Sequence, residues 1–131
     1  MNPLKRQGIG IIIGLTVQYL LGMATNLFVQ FPETANEQQL WEFAKKQLLL
    51  VAHIIIGFLL LIGGVVLLVR AVKHHDRNWI IAGSVGLIAI IAAILAGASF
   101  IPSQKDPFSY LMATSFMVAL LAYGWGVVRS K

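Results

Sequence analysis

The chain has 131 residues, of which 58% are apolar and 11% are charged, and its mean hydropathy is +0.81. This composition excludes a soluble globular domain. The ten basic residues behind the net charge of +5 are scattered without forming a basic patch, which excludes nucleic acid as a partner, and the absence of cysteine excludes disulfides and thiolate ligands.

Four apolar segments that lack Asp, Glu, Lys and Arg are each long enough to cross a bilayer as a helix. They comprise residues 9–29, 48–69, 79–101 and 108–128. We therefore predict an all-α fold, an integral membrane four-helix bundle with up-down-up-down topology, which forms a single transmembrane domain over residues 1–131.

The first segment carries a stripe of small and polar side chains at intervals of four residues. The stripe consists of Gly10, Gly14, Gln18, Gly22 and Asn26. Because small and polar side chains favour helix–helix contact over contact with lipid, the stripe predicts which face of the first helix points into the bundle.

The connection between the first two segments has a helical pattern of its own over residues 34–46. Thr34 and Glu37 have the spacing of a capping box, and Leu40, Trp41 and Ala44 recur on one helical face. This pattern predicts a short helix that lies at the outer membrane surface.

His53 is the residue of the second segment that most suggests chemistry. It follows Lys46 by seven residues, which places it roughly 10 Å below the outer charged boundary. A histidine inside a membrane span is a functional-site hypothesis by default. The alternative is a structural histidine that is hydrogen-bonded to a helix carbonyl, to Gln18 or to Asn26.

The distribution of basic residues predicts the orientation in the cell membrane. Seven basic residues lie at the two ends of the chain and in the second connection: Lys5, Arg6, Arg70, Lys73, Arg77, Arg129 and Lys131. The other three lie in the first and third connections: Lys45, Lys46 and Lys105. The excess predicts that both termini are cytoplasmic. Trp79 and Trp125 are predicted to anchor the inner boundary.

The last two segments indicate an internal repeat. Aligning Arg129 with Arg70 gives an offset of 59 residues, which places Met112 opposite His53. Two repeated helical hairpins around a central slot would bring these two side chains together. Histidine and methionine are a known axial pair of haem, so we predict haem b between His53 and Met112, with Gln18, Gly22 and Gly57 lining the slot.

The segments Gln18-Tyr-Leu-Leu-Gly22 and Leu50-Val-Ala-His53-Ile-Ile-Ile-Gly57 carry a family resemblance. The chain resembles one four-helix half of haem A synthase and, more loosely, small four-span cytochrome b proteins. The resemblance implies that His53 ligates a haem. Met112 stands where that family has a second histidine, and Asn26 stands near the position of an expected acid, so the resemblance implies electron transfer or sensing rather than oxygen-dependent hydroxylation.

Two main hypotheses result. In the first, a small membrane protein binds haem b for electron transfer or sensing, works with a membrane redox partner and pairs the haem propionates with Lys45, Lys46 and Lys105. In the second, the chain is a non-enzymatic accessory subunit of a larger membrane complex and holds no cofactor. Two further alternatives are a homodimer that shares one cofactor between two copies of His53 and a quinone or lipid site formed by Gln18, Asn26, His53 and Tyr110.

Overall fold

A computed structural model describes residues 1–130. Five α-helices account for nearly all of this part: α1 Pro3–Phe28, α2 Glu37–Lys46, α3 Leu48–Lys73, α4 Arg77–Ser103 and α5 Asp106–Arg129. Four of them, α1, α3, α4 and α5, are long and apolar enough to cross a membrane. Each long helix covers one of the predicted apolar segments, to within one residue at the end of α1, and continues into its polar flanks.

The four long helices form a ring in which each helix packs on two neighbours. The pair α4 and α5 has the most extensive contact, α1 packs on α3 and α5, and α3 packs on α4. The short connections make consecutive helices antiparallel, so the predicted all-α, up-down-up-down membrane bundle is confirmed. Large apolar side chains such as Leu20, Ile62 and Leu121 are exposed on the outside, as expected for a surface in contact with lipid.

The inward face of α1 differs from the predicted stripe. Leu4, Gly8, Ile11 and Leu15 are buried in its first half, whereas Gly10 has open space beside it and Asn26 is exposed. A four-residue interval advances a helix by about 400°, so the stripe rotates by about 40° at each step and leaves the interface at both ends. The observed intervals of four, three and four residues stay on one face.

Helix α2 packs on α3 and α4 through Leu40 and Ala44, which are buried. Its capping box is formed by Asn36 and Gln39 rather than by Thr34 and Glu37. The Asn36 side chain accepts from the Gln39 backbone N–H at 2.9 Å, and the Gln39 side chain accepts from the Asn36 backbone N–H at 3.0 Å. Asn at the N-cap with Gln three residues later forms a capping box as well as Thr with Glu does. The sequence therefore contained two overlapping candidates, and the prediction chose the wrong one.

The exposed face of α2 carries charge. Lys45 donates to Glu42 at 2.9 Å. This hydrogen bond and the positive charge of Lys45 hold the pKa of the Glu42 carboxyl below its usual value. Because both groups are solvated, the pair contributes little to stability.

The centre of the bundle is filled by aromatic and aliphatic side chains. Trp79, Tyr123 and Leu67 are completely buried. A Cβ on Gly8 or Gly126 would collide with the Trp79 ring, and one on Gly86 would lie 2.5 Å from the Tyr123 ring. The prediction that Trp79 anchors the membrane boundary is therefore wrong, because glycines on α1 and α5 make room for its ring inside the bundle.

Side-chain hydrogen bonds tie the helix ends together at the end of the bundle that contains both termini. Gln7 donates to the Gly63 carbonyl at 3.1 Å and accepts from Arg70 at 3.0 Å, which joins α1 to α3. Lys5 donates to the Ser130 carbonyl at 3.4 Å, which joins α1 to the residue after α5. These hydrogen bonds therefore connect α1 both to α3 and to the residue that follows α5.

Candidate functional site

A group of polar side chains and glycines lies where α1 and α3 meet in the half of the bundle next to α2. We call it the polar seam and define it as Gln18, Gly22 and Thr25 of α1 with His53 and Gly57 of α3. The amide nitrogen of Gln18 lies 3.3 Å from His53 Nε2, which joins the two helices by a hydrogen bond.

The two glycines of the polar seam allow this bond to form. A Cβ on Gly22 would lie 3.1 Å from His53 Cε1, and a Cβ on Gly57 would lie 3.2 Å from the amide nitrogen of Gln18. Each glycine therefore makes room for the polar side chain of the opposite helix. The sequence analysis predicted a slot for a flat ligand beside Gly22 and Gly57. In the structure, the His53 and Gln18 side chains lie beside these two glycines.

Three buried polar atoms of the polar seam have no hydrogen-bond partner. They are Gln18 Oε1, Thr25 Oγ1 and His53 Nδ1. Leaving a polar atom buried and unpaired costs about 1–3 kcal/mol in proteins. The polar seam is thus a place where the bundle keeps unused hydrogen-bonding capacity inside an apolar surrounding.

Met112 occupies the equivalent place in the other hairpin. A Cβ on Gly97 of α4 would lie 3.2 Å from the Met112 sulfur, just as one on Gly22 of α1 would lie 3.1 Å from His53. Both side chains therefore pack against a glycine of the first helix in their own hairpin. The structure brings Gln18, Gly22, His53 and Gly57 together and places Met112 at the α4–α5 contact.

Thr25 is the member of the polar seam that the sequence pattern did not single out. It follows Gln18 by seven residues and Gly22 by three, which puts all three on one face of α1. That spacing was the available signal. The four-residue stripe drew attention instead to Asn26, whose side chain is exposed, and Tyr110 is also 76% exposed.

Two further unpaired polar atoms lie in the centre of the bundle. Trp79 Nε1 and the Tyr123 hydroxyl are buried without a partner. A Cβ on Gly64 would lie 2.9 Å from the Tyr123 oxygen. No group of three or more His, Cys, Asp or Glu side chains that could hold a metal ion occurs among residues 1–130.

Comparison with known proteins identifies a family. Residues 2–131 match the family described as the N-terminal 7TM region of histidine kinase. That description names seven spans, and the described part of this chain contains four candidates. Neither the curated proteins nor the solved structures contain a match to the chain.

The resemblance to haem A synthase and to small cytochrome b proteins is wrong, because the family match is to a different membrane region. The two segments that carried it consist of apolar residues with one Gln, one His and a few glycines. Such segments arise wherever a polar side chain of one membrane helix packs against a glycine of another. They therefore reflect the helix contact at the polar seam.

Proposed function

Because the chain belongs to the family of N-terminal 7TM regions of histidine kinases, we propose that it is a membrane-embedded signal-input domain. The family match over residues 2–131 is the observation that carries the proposal. In this role the bundle adopts different packing states and passes them to a kinase catalytic region, joined to it or associated with it. The domain senses and transmits, and the phosphoryl-transfer chemistry belongs to the kinase.

The geometry supports a transmitting role for α1 and α3. The same two helices form the polar seam in one half of the bundle and the Gln7 bridge to Gly63 and Arg70 in the other half. A change at the polar seam therefore has a direct path along a packed helix pair. We propose that α2 faces the outside and that both termini are cytoplasmic, which agrees with the excess of Lys and Arg on that side.

A chimera tests the proposed function. The chain is fused through its C-terminal end to the catalytic core of a histidine kinase, and autophosphorylation is measured in membrane vesicles. We expect Gln18→Leu or His53→Leu to change the rate about fivefold or more, as is typical of coupling between sites. Leu20→Ala and Ile55→Ala are matched controls, because both side chains are exposed to lipid.

The accessory-subunit hypothesis gives the opposite result. A scaffold without a signalling role predicts that the two polar-seam variants and the two controls leave autophosphorylation equally unchanged. Equal rates in all four variants, with normal expression and membrane insertion, would therefore contradict the signal-input function.

A further inference from the structure

The hydrogen bond between Gln18 and His53 leaves the polar seam incompletely paired in whichever way the amide is oriented. If the Gln18 amide nitrogen donates to His53 Nε2, the proton of the neutral ring lies on Nδ1, and that N–H has no acceptor. Gln18 Oε1 is then an acceptor without a donor. If the amide is reversed, Nδ1 becomes an acceptor without a donor.

The protonated ring has different needs. An imidazolium carries two N–H donors and therefore requires two acceptors. The polar seam contains two acceptor atoms that are not used, Gln18 Oε1 and Thr25 Oγ1. Turning the Gln18 amide supplies the first acceptor. Supplying the second requires Thr25 of α1 to approach His53 Nδ1 of α3, because the two are not in hydrogen-bonding contact.

The charged groups of the neighbouring helices lie away from the His53 ring. Helix α1 places uncharged Gln18 and Gly22 beside the ring, and Thr25 lies about one turn further along the same face. Tyr19 of the same helix stacks on Phe116 of α5. The outer half of α4, residues 89–103, contains no titratable residue. The charged side chains of α2 and α3 are exposed. They are Glu37, Glu42, Lys45 and Lys46 on α2, and Arg70 and Lys73 at the end of α3 that is distant from His53. No carboxylate faces the ring, so neutral oxygens must hold its charge.

We propose that the polar seam is a proton-binding site, in which His53 takes up a proton from the aqueous phase beside α2 and α1 shifts on α3 so that Thr25 and Gln18 accept from the charged ring. The proposal deepens the signal-input function and rests on it. The reaction is the addition of one proton to a ring nitrogen, with no change in oxidation state. Glycines at positions 22 and 57 leave the facing side chains free of an obstructing Cβ during the shift.

The first test follows protonation of His53 directly. The full chain is placed in lipid nanodiscs with His74→Gln and His75→Asn, since both residues are exposed and Asn tolerates the positive φ of 53° at position 75. Nitrogen-15 spectra of labelled histidine are recorded from about pH 8 to about pH 4, a range that brackets the titration of an ordinary histidine. We expect the His53 signals to change from neutral imidazole to imidazolium. A ring that stays neutral throughout overturns the proposal.

The second test follows the helices in the same sample. The chain has no cysteine, so Gln30→Cys and Leu48→Cys give unique spin-label sites at exposed positions beside the ends of α1 and α3. We expect the distance between the labels to change by about 1–2 Å with the same midpoint as the titration. Titration of His53 without a change in distance overturns the proposal.

Two variants separate the roles of the side chains. His53→Gln keeps a partner for Gln18 and is expected to abolish the pH-dependent change in distance. Thr25→Val keeps the shape of the side chain and is expected to leave His53 able to titrate while the change in distance is lost. A change in distance that persists in Thr25→Val overturns the assigned acceptor. These measurements use no kinase, so their failure is distinct from a failure of the chimera.

Discussion

At the residue scale, glycines decide how closely the helices of this bundle approach each other. Gly126 and Gly124 lie on the same helix two residues apart but have opposite surroundings. A Cβ on Gly126 would lie 2.7 Å from Trp79 Cζ3, whereas a Cβ on Gly124 has nothing within 4 Å. The pair therefore separates the packing role of glycine from its low helix propensity.

We predict that Gly126→Ala destabilises the bundle by about 1–3 kcal/mol, because the new methyl group forces the buried Trp79 ring to move. Gly124→Ala is the matched control and is expected to be neutral or to stabilise by up to about 1 kcal/mol through helix propensity. Unfolding of the purified chain in detergent measures both values. Equal effects of the two substitutions would contradict the assigned packing of Trp79.

Tyr123 offers a second prediction at this scale. Its hydroxyl is buried in the centre of the bundle and has no partner. Replacing it with Phe keeps the ring and removes the unpaired polar group, so Tyr123→Phe is expected to raise the free energy of unfolding by about 1 kcal/mol or more. Loss of stability in Tyr123→Phe would show that the hydroxyl has a partner in the folded protein.

Haem b ligation by His53 and Met112 stays a prediction. In the structure, His53 packs against Gly22 of α1 and Met112 packs against Gly97 of α4. A reduced-minus-oxidised absorption spectrum of protein purified from a haem-sufficient host measures it. If haem is bound as predicted, the wild-type chain gives a haem spectrum. This spectrum is lost in His53→Ala and shifted in Met112→Ala. A flat spectrum after haem supplementation would rule it out.

At the element scale, the start of α2 is the clearest local feature. Its N-cap is Asn36, whose side chain accepts from the Gln39 backbone, while Thr34 lies outside the helix. We predict that Asn36→Ala lowers the stability of α2 by about 1 kcal/mol, which hydrogen exchange of the α2 amides measures. Thr34→Ala is the control and is expected to leave exchange unchanged. Faster exchange in Thr34→Ala alone would contradict the assigned cap.

The elements also show what the sequence could predict. The lengths of the apolar segments were sufficient to locate the four long helices, because a span must satisfy its backbone hydrogen bonds within one helix. The inward face of α1 was predicted correctly at Gly14, Gln18 and Gly22, which contact α3, but not at Gly10 and Asn26, where the four-residue stripe rotates away from the interface. Correct facing requires the alternation of three- and four-residue intervals that keeps Leu4, Gly8, Ile11 and Leu15 buried.

Trp79 shows why the contacts between distant helices could not be predicted from the sequence. An aromatic residue at the end of an apolar segment is the usual signature of a membrane boundary. Its burial depends on Gly8 and Gly126, which are distant in sequence and lie on two other helices. The same limit applies to the candidate site. The hydrogen bond between His53 and Gln18 was one of the alternatives that the sequence allowed, and the structure contains it. Choosing it over a helix carbonyl or Asn26, and locating Met112, requires knowing which helices are neighbours.

At the scale of the whole molecule, the bundle combines an apolar outer surface with unpaired polar atoms inside. The polar seam and the Gln7 bridge lie on the same two helices, at opposite ends of the bundle. In the proposed signal-input function, this arrangement would supply both a place where packing changes and a connection to the end where both termini lie.

The most direct test of the account is a double-mutant cycle on Gln18 and His53 in the kinase chimera. The account predicts that Gln18→Leu and His53→Leu each change autophosphorylation about fivefold or more and that the double variant resembles either single one, because both substitutions remove the same contact. The matched pair Leu20→Ala and Ile55→Ala is expected to leave the rate unchanged. Autophosphorylation that is the same in all variants, or that the control pair alters equally, would contradict a signalling role for the polar seam.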